Sequence, residues 1–147
     1  MRIPDAPATK VVCTGSFLGP TLPHDGHFAT DATGGAFSSD PRLRRCGSGG
    51  VHYTPNGDGT KPTFHGIIMH SISGPQSDQT VPRAELSTIL TILKYSTGSA
   101  TFVVDAEIIP IKFRKGMDAT MRSAMADLWM ELNSINSFFF ILNNCIF

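Results

Sequence analysis

The first half of the chain carries short runs of apolar and β-branched residues separated by turn residues, a pattern that predicts strands. One run ends near Asp31, and two more occupy residues 49–54 and 63–73. Between the last two lies the segment 55–59, whose Pro-Asn-Gly-Asp-Gly composition is typical of a tight turn. Strands joined by short connections pair antiparallel, so the pattern predicts a three-stranded antiparallel meander.

A helical spacing begins at Pro82, which suits the first turn of a helix because its missing N–H costs nothing there. Four apolar residues follow at positions i, i+3, i+4 and i+7, and Gly98 lies beyond the end: Leu86, Ile89, Leu90 and Leu93. Glu85 shares this buried face, one turn nearer the N-terminus. A carboxylate there needs a partner, and the residue types allow either an ion pair with Arg83 or a nearby lysine, or a metal ion.

The second half of the chain predicts one more strand and two helices. Residues 101–105 form a short β-branched, apolar run, and the order strand, helix, strand implies a parallel pairing in part of the sheet. A helix over 107–116 is confined or kinked by Pro110. A helix over 119–132 has an apolar stripe that predicts a core contact, formed by Met121, Met125, Leu128, Trp129 and Leu132.

Length and composition indicate one intracellular domain. The chain has 147 residues and a formal net charge of zero, enough for one proper core and too short for two ordinary domains. Its three irregularly spaced cysteines, Cys13, Cys46 and Cys145, favour a reducing compartment. The N-terminus lacks the apolar core of a signal peptide, and the apolar run 138–142 is too short to span a bilayer, so no membrane partner is expected. The oligomeric state stays open.

Half of the twelve basic residues fall in two triplets: Arg42, Arg44 and Arg45, and Lys112, Arg114 and Lys115. Local basic patches of this kind can hold phosphates without a basic average over the whole chain. The alternative interpretation is that both triplets belong to solvated loops.

Three carboxylates occupy settings from which a fold can aim acidic groups at one point. Asp31 ends a strand, Glu85 begins a helix and Asp105 ends a second strand. Converging carboxylates repel each other, so their convergence predicts a divalent cation between them and phosphoryl chemistry. The alternative roles are ordinary ones, namely a turn residue, a surface ion pair and a strand-end cap.

Four motifs in this order resemble type 1 ribonuclease H, over roughly residues 26–132. The motifs are Thr30-Asp31 followed by the Gly-rich run 46–51; Gln79-Thr80, two variable residues, then Arg83-Ala84-Glu85-Leu86; Val104-Asp105 leading into a basic helix that ends at Gly116; and Asp127-Leu128-Trp129. The resemblance implies an α/β fold with a ribonuclease H-like mixed sheet, three antiparallel strands and then parallel ones, flanked by helices. It implies three regions: an irregular lead-in over 1–25, the domain over 26–132 and an apolar, non-matching tail over 133–147.

The resemblance also implies a function, a metal-dependent endonuclease that cleaves the RNA strand of RNA–DNA hybrids. Asp31, Glu85 and Asp105 look like three of the family's four carboxylate ligands, which hold two Mg²⁺ ions, with Mn²⁺ as the substitute. Hybrid would be recognised by its shape and its 2′-hydroxyl groups. The corresponding candidates for substrate contacts are Thr33, Gly34, Thr80, Arg83, Arg44, Arg45, Arg114 and Lys115.

The chain departs from the family pattern at three places. Val81-Pro82 stands where the family has Asn or Gln, and Ala106-Glu107-Ile108 follows the third Asp instead of Ser or Cys and an aromatic residue. No His, Asp or Glu occurs after Glu131, so the family's last strand and its last helix, which bears the fourth Asp, are missing or replaced. The apolar run 138–142 is suited to pair as a surrogate fifth strand beside 101–105. These departures predict weakened activity, or alternatively a degenerate nucleic-acid or protein binding domain, such as a retroelement remnant.

Overall fold

The computed structural model describes the chain except at residues 1–4, 6–9, 20–25, 37, 41, 97–99, 105–107, 136–139 and 145–147. Six strands and four α-helices occur in the described residues. The strands are β1 (Val11–Cys13), β2 (Gly26–Thr33), β3 (Gly47–Thr54), β4 (Thr63–Ser71), β5 (Ala100–Val104) and β6 (Phe140–Asn144). The helices are α1 (Val81–Tyr95), α2 (Ile108–Lys115), α3 (Met117–Met121) and α4 (Ala126–Asn133).

The strands form one mixed sheet in the order β1-β4-β3-β2-β5-β6. Strands β2, β3 and β4 pair antiparallel, as the predicted meander requires, and β1 adds to β4 in the same sense. Strands β2, β5 and β6 pair parallel. The predicted arrangement is therefore confirmed: three antiparallel strands are followed by parallel strands in one mixed sheet with flanking helices.

The tail pairs beside β5 as the sequence predicted, but the strand lies at Phe140–Asn144 rather than at 138–142, and residues 138 and 139 lie outside the described residues. Phe140–Asn144 pairs parallel with β5, from Ala100 opposite Phe140 to Val104 opposite Asn144. A segment that departs from the family pattern thus takes the strand position next to β5. At the other edge of the sheet, Val11–Cys13 of the predicted lead-in pairs with β4.

Helix α1 covers one face of the antiparallel strands. The side chain of Thr80 caps its N-terminus by accepting a hydrogen bond from the Arg83 N–H at 3.4 Å, and Pro82 lies in the first turn. Gly50 lets the helix approach β3 closely, because a Cβ there would lie 2.9 Å from Cδ1 of Ile92. The core between helix and sheet consists of fully buried side chains, among them Phe28, Leu86, Ile89, Leu93, Phe102 and Trp129.

The predicted helix over 119–132 is wrong as a single element, since α3 ends at Met121 and α4 begins at Ala126. Ser123 explains the break. Its hydroxyl donates to the Thr120 carbonyl at 2.7 Å and accepts from the Met125 N–H at 3.3 Å. Such local bonds satisfy backbone groups outside a helix and so compete with helical hydrogen bonding. No helix in the described part of the chain is long and apolar enough to cross a membrane.

Candidate active site

The carboxylate of Glu85 lies inside the protein, as its helical phase predicted. The residue is only 1% exposed. Its Oε1 accepts a hydrogen bond from the Thr30 hydroxyl of β2 at 3.0 Å, a contact between residues 55 positions apart. The start of α1 is thereby joined to the carboxyl end of β2. Arg83, offered above as a partner for Glu85, binds a different carboxylate.

Asp31 follows Thr30 on β2 and points to the opposite face of the sheet. Thr30 is buried and Asp31 is exposed, as alternation along a strand requires. The Asp31 carboxylate accepts from the Ala32 N–H at 2.8 Å, and its main-chain carbonyl accepts from the Ser48 hydroxyl at 3.0 Å. The carboxylates of Asp31 and Glu85 therefore lie on opposite faces of β2, and the described structure does not bring them together.

The third predicted ligand, Asp105, lies outside the described residues. Strand β5 ends at Val104, which is paired in register with Thr30 in the parallel ladder. The carboxyl ends of β2 and β5 are thus neighbours, with the two candidate acids directly following the paired residues in sequence. Within the described residues, no three His, Cys, Asp or Glu side chains form a group able to hold a metal.

A buried polar network lies beneath the Asp31 backbone. Oγ1 of Thr88 on α1 lies 2.5 Å from Oγ of Ser48 and 2.6 Å from Nε2 of His70. Because Ser48 donates to the Asp31 carbonyl, its oxygen accepts from Thr88. The Thr88 hydrogen also faces the Ala84 carbonyl at 3.3 Å, so with its hydrogen directed at these acceptors Thr88 accepts from the Nε2–H of His70. The network was missed from the sequence, although Thr88 sits three residues after Glu85 on the same inward helix face.

Arg83 forms a bidentate ion pair with Asp127. Its two terminal nitrogens lie 3.0 and 2.5 Å from the carboxylate oxygens, so the second and fourth sequence motifs meet across α1 and α4. The hydrogen bond from Arg83 holds the pKa of Asp127 below its ordinary value, and Asp127 in turn raises the pKa of Arg83. Contact between Arg83 and nucleic acid stays a prediction, and any such contact would compete with this pair.

Gln79, which opens the second motif, has a structural role. It is 2% exposed. Its side-chain oxygen accepts from the Cys46 N–H at 2.8 Å, and its side-chain nitrogen donates to the Ile72 carbonyl at 3.3 Å. It therefore ties the start of β3 and the end of β4 to the start of α1, beside the cap made by Thr80.

The loop between β2 and β3 is held by its own hydrogen bonds. The Thr33 hydroxyl accepts from the Gly35 N–H at 3.2 Å, and the Gly34 carbonyl accepts from the Arg45 N–H at 3.1 Å. The guanidinium group of Arg44 donates to the Ser38 carbonyl, and that of Arg45 donates to the Gln76 side chain. These substrate-contact candidates stay predictions, and the two arginines are already engaged within the protein.

The second basic triplet ends α2, as the sequence predicted. Arg114 and Lys115 are exposed, Lys112 is partly buried, and Gly116 follows with a φ of 90° that ends the helix. The exposed ends of Arg114 and Lys115 are free to meet a phosphate from solvent. Their contact with substrate stays a prediction.

Comparison with known proteins finds likeness in structure only. No family model matches the chain, and no curated protein matches it. The chain is similar to the crystal structure of RNase H1 from the halophilic archaeon Halobacterium salinarum, at 12% identity and a TM-score of 0.46, over 82% of this chain and 85% of that one. It is also similar to the N-terminal RNase H domain of a Mycobacterium tuberculosis protein fused to maltose-binding protein, at 15% identity and a TM-score of 0.47, over 82% of this chain and 86% of that one.

Proposed function

We propose that the chain is a type 1 ribonuclease H-like, metal-dependent endonuclease acting on the RNA strand of RNA–DNA hybrids through Asp31, Glu85 and Asp105. The observation that carries the proposal is the hydrogen bond between Thr30 and Glu85 at the carboxyl end of β2. It holds a buried carboxylate beside Thr30, the residue that precedes Asp31 on β2. Asp105 directly follows β5, the parallel neighbour of β2.

The residue types at this position suit Mg²⁺, with Mn²⁺ as the substitute. Asp31, Glu85 and Asp105 would hold the metal through hard carboxylate oxygens, while water completes the coordination. Two such ions would activate the attacking water and stabilise the leaving oxygen of an in-line displacement. Thr30 fixes one oxygen of Glu85, and the Ser48 hydroxyl fixes the backbone carbonyl of Asp31.

Hybrid recognition would rest on shape and on 2′-hydroxyl groups rather than on base sequence. Arg114 and Lys115 are exposed and lie on the helix that follows the third candidate ligand. Arg44 donates to the Ser38 carbonyl of its own loop, and Arg45 donates to the Gln76 side chain. The phosphate contacts of this chain would therefore come mainly from the α2 side.

The test is cleavage of an end-labelled RNA–DNA hybrid with Mg²⁺ or Mn²⁺, with duplex DNA as the substrate control. Asp31→Asn removes one candidate ligand at nearly constant volume. Asp118→Asn is the matched control, since Asp118 is an exposed acid in the first turn of α3. We expect cleavage of the hybrid alone, at least a hundredfold loss in Asp31→Asn and an unchanged rate in Asp118→Asn. Cleavage that survives Asp31→Asn would refute the assignment.

A second candidate function is a degenerate domain that binds nucleic acid or protein without cleavage. Three groups predicted for substrate are bound within the protein, namely Arg83, Arg44 and Arg45. This function predicts hybrid binding that persists in Asp31→Asn, together with no thermal stabilisation by millimolar Mg²⁺. Ligand binding to the native state raises the melting temperature, so a melting curve with and without metal separates the two functions.

A further inference from the structure

A buried histidine that the proposed mechanism does not use lies at the far end of the polar network beneath Asp31. His70 on β4 is 7% exposed, and its Nδ1 forms no hydrogen bond with the described residues. Native structures seldom bury a polar side chain without giving its polar atoms partners. The burial of His70 at this position therefore requires an explanation.

Three short contacts, here called the hydroxyl chain, connect His70 to the backbone of Asp31. Nε2 of His70 lies 2.6 Å from Oγ1 of Thr88, and this oxygen lies 2.5 Å from Oγ of Ser48. Oγ of Ser48 lies 3.0 Å from the Asp31 carbonyl oxygen. These are hydrogen-bond distances, so each contact needs one hydrogen between its two polar atoms. The two hydroxyl groups supply two hydrogens, and the third must come from Nε2 of His70.

This requirement sets the tautomer of His70 and the direction of the hydroxyl chain. Burial lowers the pKa of His70, and the Ser71 backbone opposes that effect only in part, so the ring is neutral at pH 7. Its one hydrogen lies on Nε2, and the donors then point from His70 through Thr88 and Ser48 to Asp31. A hydrogen on Nδ1 instead would leave one of the three contacts without a hydrogen, and Nδ1–H would have no acceptor among the described residues.

The peptide group between Asp31 and Ala32 carries the effect of the hydroxyl chain to the candidate ligand. Its carbonyl oxygen accepts from Ser48, and its N–H donates to Oδ1 of Asp31 at 2.8 Å. A peptide group is planar, so fixing the direction of its carbonyl also fixes the direction of its N–H. The orientation of the exposed Asp31 carboxylate is therefore set from the buried side of β2.

We propose that His70 is a positioning residue for the candidate active site, holding the Asp31 carboxylate in one orientation through the hydroxyl chain and the peptide group that follows Asp31. The consequence for metal binding rests on the proposed function, in which Asp31 is a ligand. Groups of this kind orient metal ligands without touching the metal, and their loss typically weakens metal binding about 10–100-fold.

The first test is NMR of the labelled chain without metal. At pH 7 the ring nitrogens of His70 should show the hydrogen on Nε2 and none on Nδ1. Two disruptive variants, Thr88→Val and His70→Leu, remove the middle of the hydroxyl chain and its first donor. Each should shift the ¹³C resonance of the Asp31 carbonyl and the amide resonance of Ala32. Two conservative variants, Thr88→Ser and His70→Gln, keep the hydroxyl group and a donor, so they should keep resonances close to those of the wild type.

Two controls separate positioning from a general loss of stability. Thr91→Val repeats the threonine substitution on the same helix, but the Thr91 hydroxyl bonds only to the Ser87 carbonyl. Ile109→Val truncates a fully buried side chain on α2 that is no part of the hydroxyl chain. Both should leave the resonances of Asp31 and Ala32 unchanged. Circular dichroism checks that every variant is folded.

The second test measures the dissociation constant of Mn²⁺ by electron paramagnetic resonance. We expect the two disruptive variants to bind Mn²⁺ at least tenfold more weakly than the wild type does. The two conservative variants and the two controls should bind it as the wild type does. A role of His70 in stability alone would not change the affinity of the folded chain for the metal.

Four results would each overturn the proposal. They are a His70 hydrogen on Nδ1, an Asp31 carbonyl resonance that the disruptive variants do not move, conservative variants that behave like the disruptive ones, and Mn²⁺ binding that the disruptive variants leave at full strength. A wild-type chain that binds no Mn²⁺ would instead refute the proposed function. The resonances of Asp31 and Ala32 would then still decide the role of His70.

Discussion

Replacing Thr88 with valine removes one hydroxyl from the centre of the buried network while keeping the side-chain volume. The hydroxyl lies 2.5 Å from Ser48 Oγ and 2.6 Å from His70 Nε2, and Thr88 itself is fully buried. In the variant the Nε2–H of His70, a residue only 7% exposed, loses its acceptor. Leaving a buried donor unsatisfied costs about 1–3 kcal/mol. We therefore expect Thr88→Val to lower the free energy of unfolding by about 2 kcal/mol, or the melting temperature by about 6 °C.

The assay is urea unfolding followed by the fluorescence of Trp129, the only tryptophan, which is fully buried. Thr91→Val is the matched control on the same helix, because the Thr91 hydroxyl bonds only locally, to the Ser87 carbonyl at 2.9 Å, and is partly exposed. That control should change stability by less than about 0.5 kcal/mol. Equal losses of unfolding free energy in Thr88→Val and Thr91→Val would refute the donor and acceptor roles assigned to Thr88 and His70.

Three further changes probe the described contacts. Burial lowers the pKa of both His52 and His70, and neighbouring histidines add to the effect at His52. The unfolded chain therefore binds protons at a higher pH than the folded chain does, so the full free energy of unfolding should be present above about pH 6.5. Below that pH it should fall by up to about 1.4 kcal/mol per pH unit per histidine, measured by urea unfolding between pH 7.5 and 5. Asp127→Asn should cost only about 0.5–1 kcal/mol, less at high salt, because the pair with Arg83 is partly exposed. Gln79→Leu should cost about 3 kcal/mol in the same assay, since it strips partners from two buried backbone groups.

Sequence patterns that act over one or two helical turns were enough to predict helix α1. Helix α1 was predicted to start at Pro82 and end before Gly98, and it spans Val81–Tyr95 because its cap, its proline and its apolar spacing all act within one or two turns. The single helix predicted over 119–132 failed for an equally local reason, the side-chain bonds of Ser123. The spacing of apolar residues gives no sign that the Ser123 side chain will form hydrogen bonds with the backbone in place of helical ones.

At the candidate site, the sequence predicted the inward position of Glu85 but not the contacts that the candidate side chains make. Helical phase placed Glu85 on the inner face, yet its contact with Thr30 joins positions 55 apart. Arg83 was considered as a partner for Glu85 and as a substrate contact, but its carboxylate is Asp127, 44 positions away. Such pairings depend on how strands and helices pack, which periodicity along one segment does not encode.

The central claim is that Asp31 of β2 and Glu85 of α1 share one metal ion when it binds, although they lie on opposite faces of the strand in this structure, and paramagnetic broadening by Mn²⁺ tests it most directly. In a backbone NMR spectrum of the labelled chain, substoichiometric Mn²⁺ should broaden the amides near Asp31 and those near Glu85 together, at the same metal concentration. Asp31→Asn should abolish both effects, and Asp118→Asn should leave them unchanged. Broadening confined to one of the two segments, or broadening that persists in Asp31→Asn, would contradict a shared site.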